Sequence, residues 1–276
     1  MSLHYTLFDP TKNITALVST PVPPEHRPAA AAEIMQKEPS CEQVGFVYRN
    51  EQGERCLDMA GGEFCGNASM SAAALFCAED GIPPKGSRVC SLRVSGAPGP
   101  VTVEVTAESE TAFRCTVTMP PPERITKETL FFRGKAYTVP AVYFPGIAHL
   151  ILPWDALEKP AAEAAVREWC EALNVKGLGL MLFEKATLTL RPLVYIPAAE
   201  TLYWEHSCAS GTAAIGAYLA QNRGKDVTAD ICQPGGTLRA EAAPDGNVRL
   251  TGRVKIVRQI GILRTVRANE KLKINN

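Results

Sequence analysis

The chain has 276 residues and balances 29 Lys plus Arg against 29 Asp plus Glu, so no net field draws it to nucleic acid or to an anionic membrane, and a small molecule is the expected partner. Hydrophobic residues make up 46% and charged residues 21%, which suits a globular protein able to bury a sizeable core and argues against disorder. No apolar run approaches the roughly 20 residues that span a bilayer, and the opening MSLHYTLFDP lacks the basic start and apolar core of a signal peptide, so a cytoplasmic protein is expected.

Along the chain, a Pro-started amphipathic helix is predicted over 28–37, stopped by Pro39. EFCGNASMS, at 63–71, then leads into an alanine-rich helix. VTVEV at 101–105 alternates as a strand does, and MPPPER at 119–124 carries three prolines that cannot all donate to a sheet, so it reads as a connection between halves. A second Pro-started helix follows over 160–173, with Ala162, Val166, Trp169, Cys170 and Leu173 on one face. EHSCASGTAAIGAYLAQNRG at 205–224 opens another small-residue helix, and the PDGN turn at 244–247 leads into a strand over 248–257.

The two small-residue helices echo one another. Aligning Cys65 with Cys208 pairs Gly66 with Ala209, Asn67 with Ser210, Ala68 with Gly211, Ser69 with Thr212 and Gly81 with Gly224. A Leu-Arg step, Leu92-Arg93 and Leu238-Arg239, is expected in the first strand after each. The chain therefore reads as a duplicated α+β unit, with halves at 1–121 and 122–263 and residues 264–276 packing back onto the first.

Nine cysteines without a CxxC or CxH pair make a metal site an unattractive reading, and each cysteine reads first as a packed free thiol. Cys65 and Cys208 gain a second reading from their position. The residues that follow each are N-cap and turn formers, which places the cysteine at a helix N-terminus, where free N–H groups stabilise a thiolate or a substrate carboxylate. Two such helix starts facing one another would set two thiols about an anion site. That arrangement suits inversion of an amino acid α-carbon, which needs a base on one face and an acid on the other, without pyridoxal phosphate.

On these residues the chain resembles the cofactor-independent diaminopimelate epimerase superfamily, which includes proline racemase-like enzymes. Cys65-Gly66-Asn67-Ala68 is similar to the family's CGNG motif and Cys208-Ala209-Ser210-Gly211-Thr212 to its ACGTG motif. GGTLRAEAAPDGNVRLTG at 235–252 and PTKNITALV at 10–18 resemble further family stretches. The resemblance implies two similar domains, each a β-barrel-like sheet around a central helix, with the active site between them. It implies Cys65 and Cys208 as the acid/base pair, Glu205 beside the second cysteine and near the substrate amine, and His149 assisting the first. Asn13 and Gln43 would contact substrate, and the backbones of Gly66, Asn67, Ala209, Ser210 and Gly211 would hold its carboxylate. On the residues alone, His149 reads equally as a buried core histidine.

Departures from the family pattern bear on the substrate. Ile147 stands where an asparagine of the diaminopimelate head-group site would be, Gly179 or a neighbour replaces a second, and His206 replaces an arginine that would clamp a distal carboxylate. The AGGEFCGNA and EHSC forms look most like the histidine racemases of opine-type metallophore synthesis. The expectation is thus an amino acid racemase, free of cofactor and metal, acting on a small amino acid as monomer or homodimer. A diaminopimelate epimerase with a diverged distal pocket and a thiol redox protein using Cys65 and Cys208 are the alternatives. Glu63, whose offset from its cysteine differs from that of Glu205, reads only as a contact for a ligand.

Overall fold

The computed structural model describes residues 2–264. Its first part runs β1 (Ser2–Pro10), β2 (Thr15–Val18), α1 (Arg27–Lys37), β3 (Gln43–Arg49), β4 (Arg55–Met59), α2 (Gly66–Glu79), β5 (Ser87–Val94), β6 (Val101–Ala107) and β7 (Ala112–Thr118). After the proline connection come β8 (Arg124–Phe132), β9 (Lys135–Phe144), β10 (Ile147–Pro153), α3 (Lys159–Ala172), β11 (Leu178–Glu184), β12 (Thr189–Ile196), β13 (Thr201–Trp204), α4 (Ala209–Arg223), β14 (Val227–Gln233), β15 (Gly236–Ala242) and β16 (Val248–Arg264).

The fold is α+β with a closed eight-stranded barrel. Strands β1 to β7 pair in chain order, and β16 pairs antiparallel with both β7 and β1, closing the ring. The partners run from Ser2 opposite Arg264 to Pro10 opposite Val254, which takes β16 along the whole length of β1. Its other end pairs with β15, so one strand belongs to the barrel and to the sheet that continues through β14, β12, β11, β10, β9 and β8. Residues 265–276, expected to pack onto the first half, lie outside the described residues.

Each helix bridges a parallel strand pair: α1 links β2 to β3, α2 links β4 to β5, α3 links β10 to β11, and α4 lies between β12 and β14. Parallel neighbours require a crossover, and these helices supply it. Helix α2 runs inside the barrel, buried at every position from Gly66 to Cys77, and its many Ala and Ser residues leave room for strands all round it while Met70, Leu75 and Phe76 fill the wider gaps. Helix α4 is buried in the same way from Ala209 to Ala217. The strands about them alternate as period-2 patterning requires; in β6, Val101, Val103, Val105 and Ala107 point to the core and Thr102 and Glu104 to solvent. One core joins Phe8, Met70, Val103, Met181, Ile215 and Leu250 around both helices, and smaller cores lie under α1 (Ile34, Phe46) and α3 (Trp169, Leu150).

Both Pro-started helices form where the apolar periodicity places them, within a residue at each end. One expectation is corrected. Leu92-Arg93 lies on β5, the first strand after α2, but Leu238-Arg239 lies on β15, the second strand after α4. The intervening β14 alternates Val227, Ala229 and Ile231 inward, a signal present in the sequence but weak because one of the three is alanine.

Candidate active site

Cys65 and Cys208 are the N-cap residues of α2 and α4. Both have extended backbone, with φ and ψ of −130° and 114° at Cys65 and −119° and 108° at Cys208, and each sulfur accepts the backbone N–H three residues on, from Ala68 and from Gly211, at 3.4 Å. A cap normally uses Ser, Thr, Asp or Asn oxygen, so a cysteine there puts sulfur against the positive end of a helix. The next turn is also shared. The hydroxyls of Ser69 and Thr212 donate back to the carbonyls of Cys65 and Cys208, each at 2.7 Å.

The two helix starts touch. A Cβ on Gly66 would fall 2.8 Å from the Cβ of Ala209, so glycine at the first position of α2 is what permits the approach. Between them lies a cleft of about 50 Å³ lined by Asn13, Gln43, Cys65, Gly66, Asn67, Glu205, Cys208, Ala209 and Ser210, together with Glu63, Phe64, Ile147, Val194 and Ile196. Among the described residues no lysine or arginine lines it.

A polar chain orients the first thiol. Asn13 donates to Glu42 at 2.5 Å, its oxygen accepts from Gln43 at 2.6 Å and from Asn67 at 3.0 Å, and Gln43 presents its oxygen to the Cys65 thiol at 3.0 Å. Cys65 therefore donates its proton to a neutral acceptor. Cys208 is held differently: its backbone N–H donates to Gln233 at 2.8 Å, its sulfur lies 3.6 Å from the Ser210 hydroxyl, and the Glu205 carboxyl is its electrostatic neighbour.

The chain as a whole matches a known family. The family model described as histidine racemase CntK N-terminal domain matches residues 2–262. A histidine racemase of Fusobacterium nucleatum is 31% identical over 92% of this chain and 95% of its own, and one of Staphylococcus aureus is 30% identical over 86% and 87%. The chain belongs to the histidine racemase family. A hydroxyproline epimerase of Agrobacterium vitis, solved with bound trans-4-hydroxy-L-proline, shares the fold with a TM-score of 0.69 at 13% identity, over 95% of this chain and 92% of its own. The protein is thus an isomerase of the amino acid racemase and epimerase class.

In this racemase the ionisable groups of the cleft are all displaced from their ordinary ranges. Burial pushes the Cys65 thiol up to about 12, opposed by the Ala68 N–H and reinforced by the charges of Glu205 and Glu63. Burial also raises Cys208, with Glu205 as the next cause, and holds the Glu205 carboxyl up to about 8. In a dry cleft a proton shared between Cys208 and Glu205 belongs to the pair rather than to either group.

Of the residues expected at the racemase site, Asn13, Gln43, Cys65, Gly66, Asn67, Glu205, Cys208, Ala209 and Ser210 come together on the cleft, and Gly211 stands behind it, donating to the Cys208 sulfur. His149 does not join them. It sits on β10, fully buried, 6.1 Å from the Phe144 ring and paired across the sheet with Gly179, and its ring nitrogens have no hydrogen-bond partner among the described residues. Burial alone lowers it to about 3, so the imidazole is neutral. His206 is exposed, and its ring pairs with Glu42. Sequence reasoning missed Gln233, which sits on the far end of β14 and also donates to Thr212 at 3.0 Å. Nothing near it in the sequence marks it, since only the strand pairing brings it to α4.

Proposed function

We propose that the protein racemises histidine by a two-thiol mechanism without a cofactor. One thiolate removes the Cα proton while the opposite thiol protonates the other face. The carboxylate rests against the N–H groups that open α2 and α4, which stabilise the charge developing on it. In the resting site the Cys208–Glu205 pair supplies the base, because Glu205 can take the Cys208 proton, whereas Cys65 holds its own proton on Gln43 and stands as the acid. The reverse reaction exchanges these roles. The observation that carries this reading is that two cysteines cap two buried helices with the same contacts and meet at one cleft.

Histidine as substrate is supported by the activity of the relatives and by the chemistry of the cleft, where Glu63 and Glu205 are the charged side chains and, among the described residues, no lysine or arginine lines the wall. A diaminopimelate carries a second carboxylate, for which the cleft offers no guanidinium. The repeated order of strands and helices supports a duplication, with β1 to β7 in one copy, β8 to β16 in the other and a boundary near 121. A free amino acid is the proposed partner, and a monomer or homodimer in the cytoplasm the proposed setting, where the thiols stay reduced.

The deciding experiment incubates reduced protein with a panel of L-amino acids in D₂O, following Cα deuteration and chirality. Exchange and inversion of histidine, unaffected by pyridoxal phosphate, are expected. Exchange of diaminopimelate alone would assign the other substrate, and exchange of none would remove the racemase reading.

A further inference from the structure

Glu63 has no part in the mechanism above, yet it lines the thiol cleft and both of the larger cavities beside it. Three cavities meet at this side chain: the 50 Å³ cleft holding the thiols, a chamber of about 270 Å³ beneath α1, and one of about 560 Å³ toward the β9–β10 turn. The cleft is too small for a whole amino acid bearing a ring, so the substrate's side chain has to extend into a neighbouring cavity, and Glu63 lines both of them. The chamber beneath α1 has apolar walls from Ala31, Met35 and Val44, with Glu42 and Glu63 as its charged groups. Glu42 is already engaged by Asn13 and His206.

Glu63 is both fixed and unsatisfied. Its carbonyl accepts from the Ser95 hydroxyl at 2.9 Å, which ties the backbone down. Gly96, with φ of +72°, lets the loop lie close, since a Cβ there would stand 2.3 Å from the Phe64 nitrogen. The carboxylate oxygen Oε2 of Glu63 is buried with no hydrogen-bond partner among the described residues. A buried carboxylate oxygen left unpaired is costly, and a ligand that supplies an N–H relieves that cost.

Resting on the racemase reading, we infer that Glu63 is the specificity-determining residue of this enzyme, taking an N–H or cationic group carried on the substrate's side chain as that chain passes from the cleft into the chamber beneath α1. A side chain without such a group leaves Oε2 unpaired and is rejected for that reason. Glu205 remains with the thiols and the α-amine, so the two acids divide the substrate between them.

The test compares wild type with Glu63→Gln, which keeps the shape and removes the charge. It uses histidine and 3-(2-thienyl)alanine, a ring of similar size without N–H. The substitution is expected to raise KM for histidine about ten- to hundredfold, with kcat changed only a few-fold, the range set by a hydrogen bond to a charged group. Exchange of the thienyl compound should hold or improve. An unchanged KM for histidine, or equal losses for both compounds, would overturn the inference. Calorimetric binding of L-histidine separates this from the racemase reading. Weaker binding by the variant supports the role of Glu63 even where wild type shows no Cα exchange, which would sink only the reaction. Equal binding by both proteins, or none by either, overturns the role itself.

Discussion

Cys65 and Cys208 have the same backbone and the same cap, yet different chemical partners. Gln43 is neutral at any pH, whereas Glu205 titrates near 8. The pH profile should reflect that difference. The Cys208–Glu205 pair must lack one proton to act as base, so kcat/KM is expected to fall as pH drops below about 8, where Glu205 becomes fully protonated, and to rise to a plateau above it. In Glu205→Gln that acid limb should disappear along with most of the activity. Exchange of either cysteine for serine should reduce turnover about 10²- to 10⁴-fold with an unchanged far-ultraviolet circular dichroism spectrum, since serine caps a helix as well as cysteine does. The placement of these cysteines at helix starts was legible because each stands before a run of cap and turn residues. Between its two readings His149 was left open: β10 is buried on both faces, and whether its histidine reaches the cleft or packs beside Phe144 is encoded by no neighbouring residue.

At the scale of the elements, the first turns of α2 and α4 are where packing and chemistry meet. Alanine in place of Gly66 would drive a methyl into Ala209, and overpacking of this kind costs about 1–3 kcal/mol. The expected result is a lower midpoint in urea together with a loss of activity larger than the stability change explains, because the two helix starts would be forced apart. Valine in place of Thr212 removes the partner of the Gln233 amide and is expected to cost about 1–3 kcal/mol, measured by the same unfolding curve. Helices were easily read, since 3.6-residue periodicity and proline starts mark α1 and α3, and small residues mark α2 and α4. The strands were read less completely. The exposed Val89 on β5 and the small Ala229 on β14 blur the alternation on which a strand prediction depends.

The whole molecule is bound together by its last described strand. β16 has β7 along one edge and, along the other, β15 at its start and β1 over the rest, so neither the barrel nor the sheet that continues through β15 is complete without it. Thermal unfolding is therefore expected as one calorimetric transition, with the van't Hoff enthalpy equal to the measured enthalpy. Two resolved transitions would mean that the halves stand independently. The two cysteine-capped helices were legible from the cysteine echo, but the closing of the barrel was not. Pairing between residues 2–10 and 254–264 leaves no mark in either segment, as both are simply alternating strands.

That pairing also sets an order of events during synthesis. β1 leaves the ribosome first and its long edge partner almost last, and at about 5–20 residues per second the interval is of order ten seconds or more. Throughout it the first strand has β2 on one side and an open hydrogen-bonding edge on the other, a template for any stray strand. Destabilising changes in β16 should accordingly show themselves as insoluble protein in the cell before they appear as altered kinetics in the purified enzyme.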